Sequence, residues 1–166
     1  MYAIGDKVVY GALGVMEIVD IADQTVADVT RKYYVMREFA SPTNSLTYVP
    51  LDNEMLVSQI KPLLTRDEIY ETVRAAKASP LIDFVEENRA RSEMYKGILA
   101  SGDRVKILSM IQTVYMTGVR REREGKRNFM ADENIMKRAE RNIAIEFSLV
   151  LGIAEDGLNE FIMGVN

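Results

Sequence analysis

The chain has 166 residues, of which 48% are hydrophobic, and a formal net charge of −4, so it can bury one sizeable core or two small ones. It contains no Cys and no His, which excludes disulfide scaffolds and thiolate metal sites and removes the commonest general base. Since no apolar run reaches about 18 residues and the N-terminus lacks a secretory pattern, we expect a cytoplasmic protein without a membrane segment. Since the sequence contains neither a catalytic constellation nor a Gly-rich phosphate loop, we expect a protein that is not an enzyme and has no metal or cofactor.

Period-two alternation and turn residues dominate the first 56 residues and predict four or five short strands. Pro50 lacks an amide donor, so it must lie on an edge strand or at a strand end. The number of short strands predicts a small, strongly bent SH3/Tudor-like β-barrel. The predicted strands are Lys7–Tyr10, Val15–Asp20, Arg31–Phe39 and Leu46–Leu51.

From Lys61 onward the hydrophobic period is that of helices. Thr65 and Glu68 have the spacing of a capping box, which predicts the start of a first helix. The dipeptide Ser79-Pro80 predicts the end of this helix and the start of a second one, because Pro is tolerated at a first helical position. This second helix is expected to expose Asn88, Arg89 and Arg91.

A third helix is predicted from the capping residues Ser101–Asp103 to about Val119, with Tyr115 on its apolar face. A run of cations follows this helix. Cations favour helix C-termini because of the macrodipole, which accounts for Arg120 and Arg121 alone. The segment from 104 to 141 carries ten basic and five acidic side chains, so it also indicates an anionic partner. Five cations come directly after the third helix: Arg120, Arg121, Arg123, Lys126 and Arg127.

A last long helix is predicted from about Asp132 to a stop at Gly152. Adjacent acids on a helix point apart, so Asp132 and Glu133 are expected to lie on a solvated face. The apolar tail Leu158–Met163 forms either one more packed turn or a dimer contact. The sequence therefore predicts an α+β protein with a barrel domain over 1–60 and an all-α domain of four or five helices over 61–166.

The segment Ile4–Tyr10 followed by Gly14–Ile18 resembles the opening of the CarD family of bacterial transcription regulators. The paired aromatics in Tyr33–Met36 and the Val49-Pro50 step fit the same pattern. The module is also similar to the polymerase-interacting domain of the transcription-repair coupling factor. In the helical half, Ser101–Asp103 and the spacing of Ala139 and Glu146 match, so the resemblance covers nearly the whole chain.

The resemblance implies that the barrel docks on the RNA polymerase β subunit by adding a strand at its edge. Tyr48 stands where the family usually has a cation, and its ring is equally typical of ordinary strand packing. The residues implied in polymerase binding are Arg37, Leu46, Thr47, Tyr48, Val49 and Pro50.

For the helical domain the resemblance implies sequence-independent contacts with the phosphates of promoter DNA, and hence an effect on open-complex formation. Asn88 stands where many members have a Trp wedge, so apolar insertion at that position is not expected here. The alternative is a polymerase-bound adaptor whose helical domain binds protein. The implied DNA-binding residues are Asn88, Arg89, Arg91, Arg120, Arg121, Lys126 and Arg127.

Overall fold

A computed structural model describes all 166 residues and divides the chain into two units, Met1–Leu63 and Leu64–Asn166. The first unit is a β-sheet with one short helix and the second is entirely helical, which confirms the predicted α+β class. None of the helices has the length and apolar character needed to cross a bilayer. The elements are β1 (Lys7–Tyr10), β2 (Val15–Val26), β3 (Val29–Glu38), β4 (Leu46–Pro50), α1 (Glu54–Ser58), β5 (Ile60–Pro62), α2 (Arg66–Ala78), α3 (Asn88–Ser101), α4 (Arg104–Arg123), α5 (Met130–Leu151) and α6 (Leu158–Gly164).

The first unit is an antiparallel sheet with the strand order β4-β3-β2-β1-β5. Val49 of β4 and Ile60 of β5 lie at opposite edges, yet both belong to one buried cluster with Val8 and Met36. A flat sheet of five strands would hold its edges roughly 19 Å apart. The sheet is therefore rolled around its core, as expected of a Tudor-like unit, and α1 contacts both edge strands.

The sheet extends further along the chain than the sequence predicts. Lys61 and Pro62, the predicted start of the helical domain, lie in β5 and pair with Val9 and Val8 of β1. A strand of three residues is too short to show a period-two pattern, so the sequence does not reveal it.

Strands β2 and β3 form a long hairpin whose two-residue loop is Ala27-Asp28, enclosed by the pair Val26 and Val29. The φ angles of the loop residues are 48° and 62°. Two positive φ angles are the requirement of a type I′ turn, which matches the twist of the strands and favours Asn-Gly. The loop therefore places an alanine in a left-handed conformation that its Cβ disfavours.

Three predicted helix boundaries of the second unit are confirmed. The amide of Glu68 donates to the hydroxyl of Thr65 at 3.3 Å and the amide of Thr65 donates to the carboxylate of Glu68 at 2.7 Å, which completes the capping box. Asp103 accepts the Lys106 amide at the start of α4. Gly152 ends α5 in a left-handed conformation with φ 71°.

The second predicted helix begins later than the sequence suggests, because α3 starts at Asn88 and not at Pro80. The carboxylate of Glu87 accepts the amides of Arg89 and Ala90 at 2.9 and 2.6 Å, and these bonds lower its pKa. Residues 79 to 87 form a connection without regular structure.

The helical unit buries Ala139, Ile143 and Phe147, which recur at intervals of four residues along α5. Tyr115 differs from the prediction, because its side chain is 60% exposed. The tail forms α6, and Leu158 is buried in the same core, so the tail is a packed element of this unit.

A buried ion pair joins α4 to α5. Arg104 donates from Nε and Nη2 to the two carboxylate oxygens of Glu146 at 3.1 and 2.8 Å. Oε1 of Glu146 also accepts the amide of Leu64 at 3.0 Å. The pair therefore ties the first residue of this unit to α4 and α5, and bidentate geometry of this kind is the strong form of such a contact.

The hairpin loop generates a first prediction. Replacing Ala27-Asp28 by Asn-Gly should raise the free energy of unfolding by about 1 kcal/mol, because both new residues tolerate positive φ. Urea denaturation of the full chain measures the change. As a control, Ala22→Gly within β2 should lower stability, since it adds backbone freedom to a strand. A loss of stability in the Asn-Gly variant would contradict the I′ turn.

Candidate functional site

Strand β4 is an edge of the sheet, since it pairs only with β3. Just beyond it, the amide of Leu51 donates to the carbonyl of Lys32 at 2.9 Å. Hydrogen-bonded and non-bonded pairs alternate along an antiparallel ladder. This one bond therefore fixes which residues of β4 direct their backbone groups toward β3.

Counting back from Leu51, the backbone groups of Val49 and Thr47 point toward β3. Those of Tyr48 and Leu46 point away from the sheet. The outward groups are amides and carbonyls in extended backbone, which is the arrangement that accepts an added strand.

The side chains of β4 alternate with the same period between the two faces of the sheet. Leu46 and Tyr48 are 45% and 46% exposed, whereas Val49 is only 1% exposed. The side chain of Val49, one of the residues predicted to bind polymerase, therefore fills the core and is not available to a partner. Pro50 belongs to the outward set, where its missing amide costs no ladder bond. Tyr48 packs edge to face on Tyr33 at 6.3 Å between ring centroids.

Arg37, the remaining residue predicted to bind polymerase, pairs with Leu46 across the ladder. Its side chain is exposed and its Nη2 lies 3.4 Å from Oε2 of Glu17 on β2. Surface pairs of this kind contribute little to stability. The guanidinium therefore lies beside the β4 edge in a contact that a partner can replace.

Arg91 lies inside the helical unit, with a side chain that is 1% exposed. Its Nε donates to Oδ2 of Asp132 at 2.7 Å, its Nη1 to the carbonyl of Val85 at 2.8 Å, and its Nη2 to Oδ1 of Asn88 at 2.8 Å. The prediction that Arg91 binds a phosphate is wrong, because all three guanidinium nitrogens donate within the unit. The expectation of a solvated Asp132 is wrong for the same reason.

Two aromatic rings complete the surroundings of Arg91. Phe84 and Phe129 stack with their centroids 6.1 Å apart, and Cζ of Arg91 lies 4.8 and 4.1 Å from them. Cζ of Arg121 lies 4.0 Å from the Phe129 centroid. These cation–π contacts hold the start of α3, the end of α4 and the start of α5 at one end of the unit.

Two further predicted DNA contacts are engaged locally. Nε of Arg121 donates to the carbonyl of Arg127 at 2.8 Å, which together with its ring contact closes the loop between α4 and α5. Nζ of Lys126 donates to Oε2 of Glu124 at 2.9 Å, and this bond lowers the pKa of Glu124. Both cations contribute to local structure before any partner binds.

The remaining cations at this end of the unit are exposed and make no ion pair. Neighbouring carboxylates are engaged, since the side-chain amide of Asn128 donates to Glu122 and Glu133. Asn88, also exposed, lies among them as the first residue of α3. We call this surface the cationic end; its members are Arg89, Arg120, Arg123 and Arg127.

The residues predicted to bind DNA do not include Arg123, Phe84 or Phe129. Arg123 belongs to the same run of cations as its neighbours, so the signal for it is present in the sequence. The two rings carry no such signal, because their role depends on Arg91 being buried between distant helices.

The buried arginine generates a second prediction. Arg91→Ala should lower the free energy of unfolding by about 3–5 kcal/mol, because it leaves the carboxylate of Asp132 buried without its partner. The matched control is Arg89→Ala, an exposed arginine two residues away, which should change stability by no more than about 0.5 kcal/mol. Urea denaturation followed by circular dichroism measures both variants. Similar destabilisation of the two variants would show that Arg91 is not the buried member.

Comparison with known proteins bears on the first unit. Residues 2–61 match the family model described as the CarD-like/TRCF RID domain. A search of curated proteins returns no match. The matched range spans the rolled sheet from its first residues to β5, so this chain carries a CarD-like RNA polymerase-interacting domain.

Proposed function

We propose that the protein is a transcription regulator that docks on the β subunit of RNA polymerase through the free edge of β4. The CarD-like domain supports polymerase as the partner. The observation that carries the β4 edge is the outward direction of the Leu46 and Tyr48 backbone groups. A strand of the β subunit would pair with these groups by β-augmentation.

The backbone groups of Thr47 point toward β3, and this direction determines which variants test the β4 edge. A proline at Thr47 removes a hydrogen bond to β3 and so weakens the fold. A proline at Tyr48 removes an outward amide and leaves the ladder intact. Only the second change separates binding from folding.

We further propose that the helical unit contacts the phosphate backbone of promoter DNA through the cationic end. The four exposed arginines support this role because none has an ion pair to break. Contacts of this kind do not read sequence. Tethering to polymerase raises the effective concentration of the surface, so weak contacts are enough. Contacts that are stronger in the open complex than in the closed one favour opening.

A second candidate function is a polymerase-bound adaptor whose helical unit binds protein. The internal use of Arg91 and Arg121 favours it, because two of the predicted DNA contacts are engaged within the unit. The two functions differ in their salt dependence, since only phosphate contacts release counterions from DNA.

The β4 edge generates a third prediction. Tyr48→Pro should bind the isolated β lobe of polymerase about three- to tenfold more weakly than Tyr48→Ala, because one backbone hydrogen bond contributes roughly 0.5–1.5 kcal/mol. Both variants lack the tyrosine ring and differ at the amide. Calorimetric titration measures the affinities, and circular dichroism confirms that both variants are folded. Equal affinities would exclude this edge.

The cationic end generates a fourth prediction. In Arg89→Gln with Arg127→Gln, the slope of log K against log salt for upstream-fork promoter DNA should become less negative by roughly two units, about 0.9 for each phosphate that is no longer neutralised. The measurement uses the protein bound to polymerase. Lys106→Gln, an exposed cation at the opposite end of α4, is the control and should leave the slope unchanged. An unchanged slope in the arginine variant would favour the adaptor.

A further inference from the structure

Helices α2, α4 and α6 leave an open groove of about 440 Å³ between them. Its floor is apolar and formed by the core residues Val73, Leu108 and Ile162. Its sides carry Ile111 and Tyr115 of α4. The groove runs along the middle of α4 and ends roughly 7 Å before the cationic end, at 1.5 Å per residue.

Large apolar side chains stand exposed around this groove. Tyr115 is 60% exposed and Met163 of α6 is 79% exposed, and both line it. Tyr and Met are enriched where proteins bind one another, and Met adapts its shape to an incoming surface.

One carboxylate lies in this apolar setting. Glu140 of α5 lines the groove and makes no ion pair. Burial raises its pKa, opposed only by the charge of Lys137 one turn away. The cation inside the groove, Lys77, donates instead to the carbonyls of Met163 and Val165. A desolvated carboxylate without a partner favours a cation brought from outside.

We propose that this groove binds an amphipathic helix of a partner protein, which places apolar side chains against Tyr115 and Met163 and a Lys or Arg against Glu140. Helix-in-groove recognition uses apolar anchors spaced three, four and seven residues apart. The charge of Glu140 selects basic helices over acidic ones, because like charges in a desolvated groove repel. This site is separate from the β4 edge and does not depend on DNA binding.

The test selects ligands from a display library of 16-residue amphipathic helices, using the full chain as bait. We expect recovered peptides to carry Lys or Arg at one preferred position. Their affinity should fall at least tenfold for Met163→Asp, which alters an exposed side chain and so leaves the fold intact. Met130→Asp, equally exposed at the start of α5 but outside the groove, is the matched control and should bind normally.

Glu140→Gln separates the charge from the shape of the site. This variant should weaken a selected basic peptide several-fold and leave unchanged the same peptide with its cation replaced by Met. The proposal is overturned if no peptide is recovered, if binding ignores Met163→Asp, or if acidic peptides prevail. It is also overturned if sedimentation shows that the chain dimerises and that Met163→Asp restores a monomer, because the occupant is then a second copy.

Discussion

The organisation of the helical unit depends on the buried guanidinium of Arg91. It binds Asp132 at the start of α5 at 2.7 Å, and its Cζ lies over the rings of Phe84 and Phe129. Taking a charge out of water costs several kcal/mol unless partners replace its hydration. Here a carboxylate, two backbone carbonyls and the Asn88 side chain replace it. A lysine cannot replace this arginine, because the compact ammonium group lacks the planar, rigid set of donors with which a guanidinium reaches several partners at once.

This single interaction also determines which surface the unit presents. Because Arg91 joins the start of α3 to the start of α5, the arginines that flank it in sequence and space are held together on the outside. Arg89 comes from α3 and Arg123 from the end of α4, and Phe129 between them is held by both Arg91 and Arg121. The cation that best resembled a phosphate ligand in the sequence thus arranges the exposed cations that the proposed function uses.

Whether the sequence predicts an interaction depends on how far apart the interacting residues are along the chain. The capping box of Thr65 and Glu68 is complete within four residues, so its pattern is visible in the chain and the structure contains it. Arg91 and Asp132 are 41 residues apart, and nothing local marks them as partners. The edge strand is predicted only in part. Pro50 indicates an edge in the sequence, but only the register with β3 shows that the backbone groups of Thr47 face β3.

The two buried ion pairs do not involve α2 or α6, the helices that border the open groove together with α4. Arg91 with Asp132 fixes α5 to α3, and Arg104 with Glu146 fixes α5 to α4. On the other side, α6 is held by apolar packing of Leu158 and Phe161 and by the bonds of Lys77 to carbonyls at the end of the chain. No salt bridge joins α6 to the rest of the unit, and its packing leaves a groove beside α2 and α4. The apolar groove between α2, α4 and α6 lies where such pairs are missing, and Glu140, which faces it, is a carboxylate of α5 for which the fold supplies no arginine.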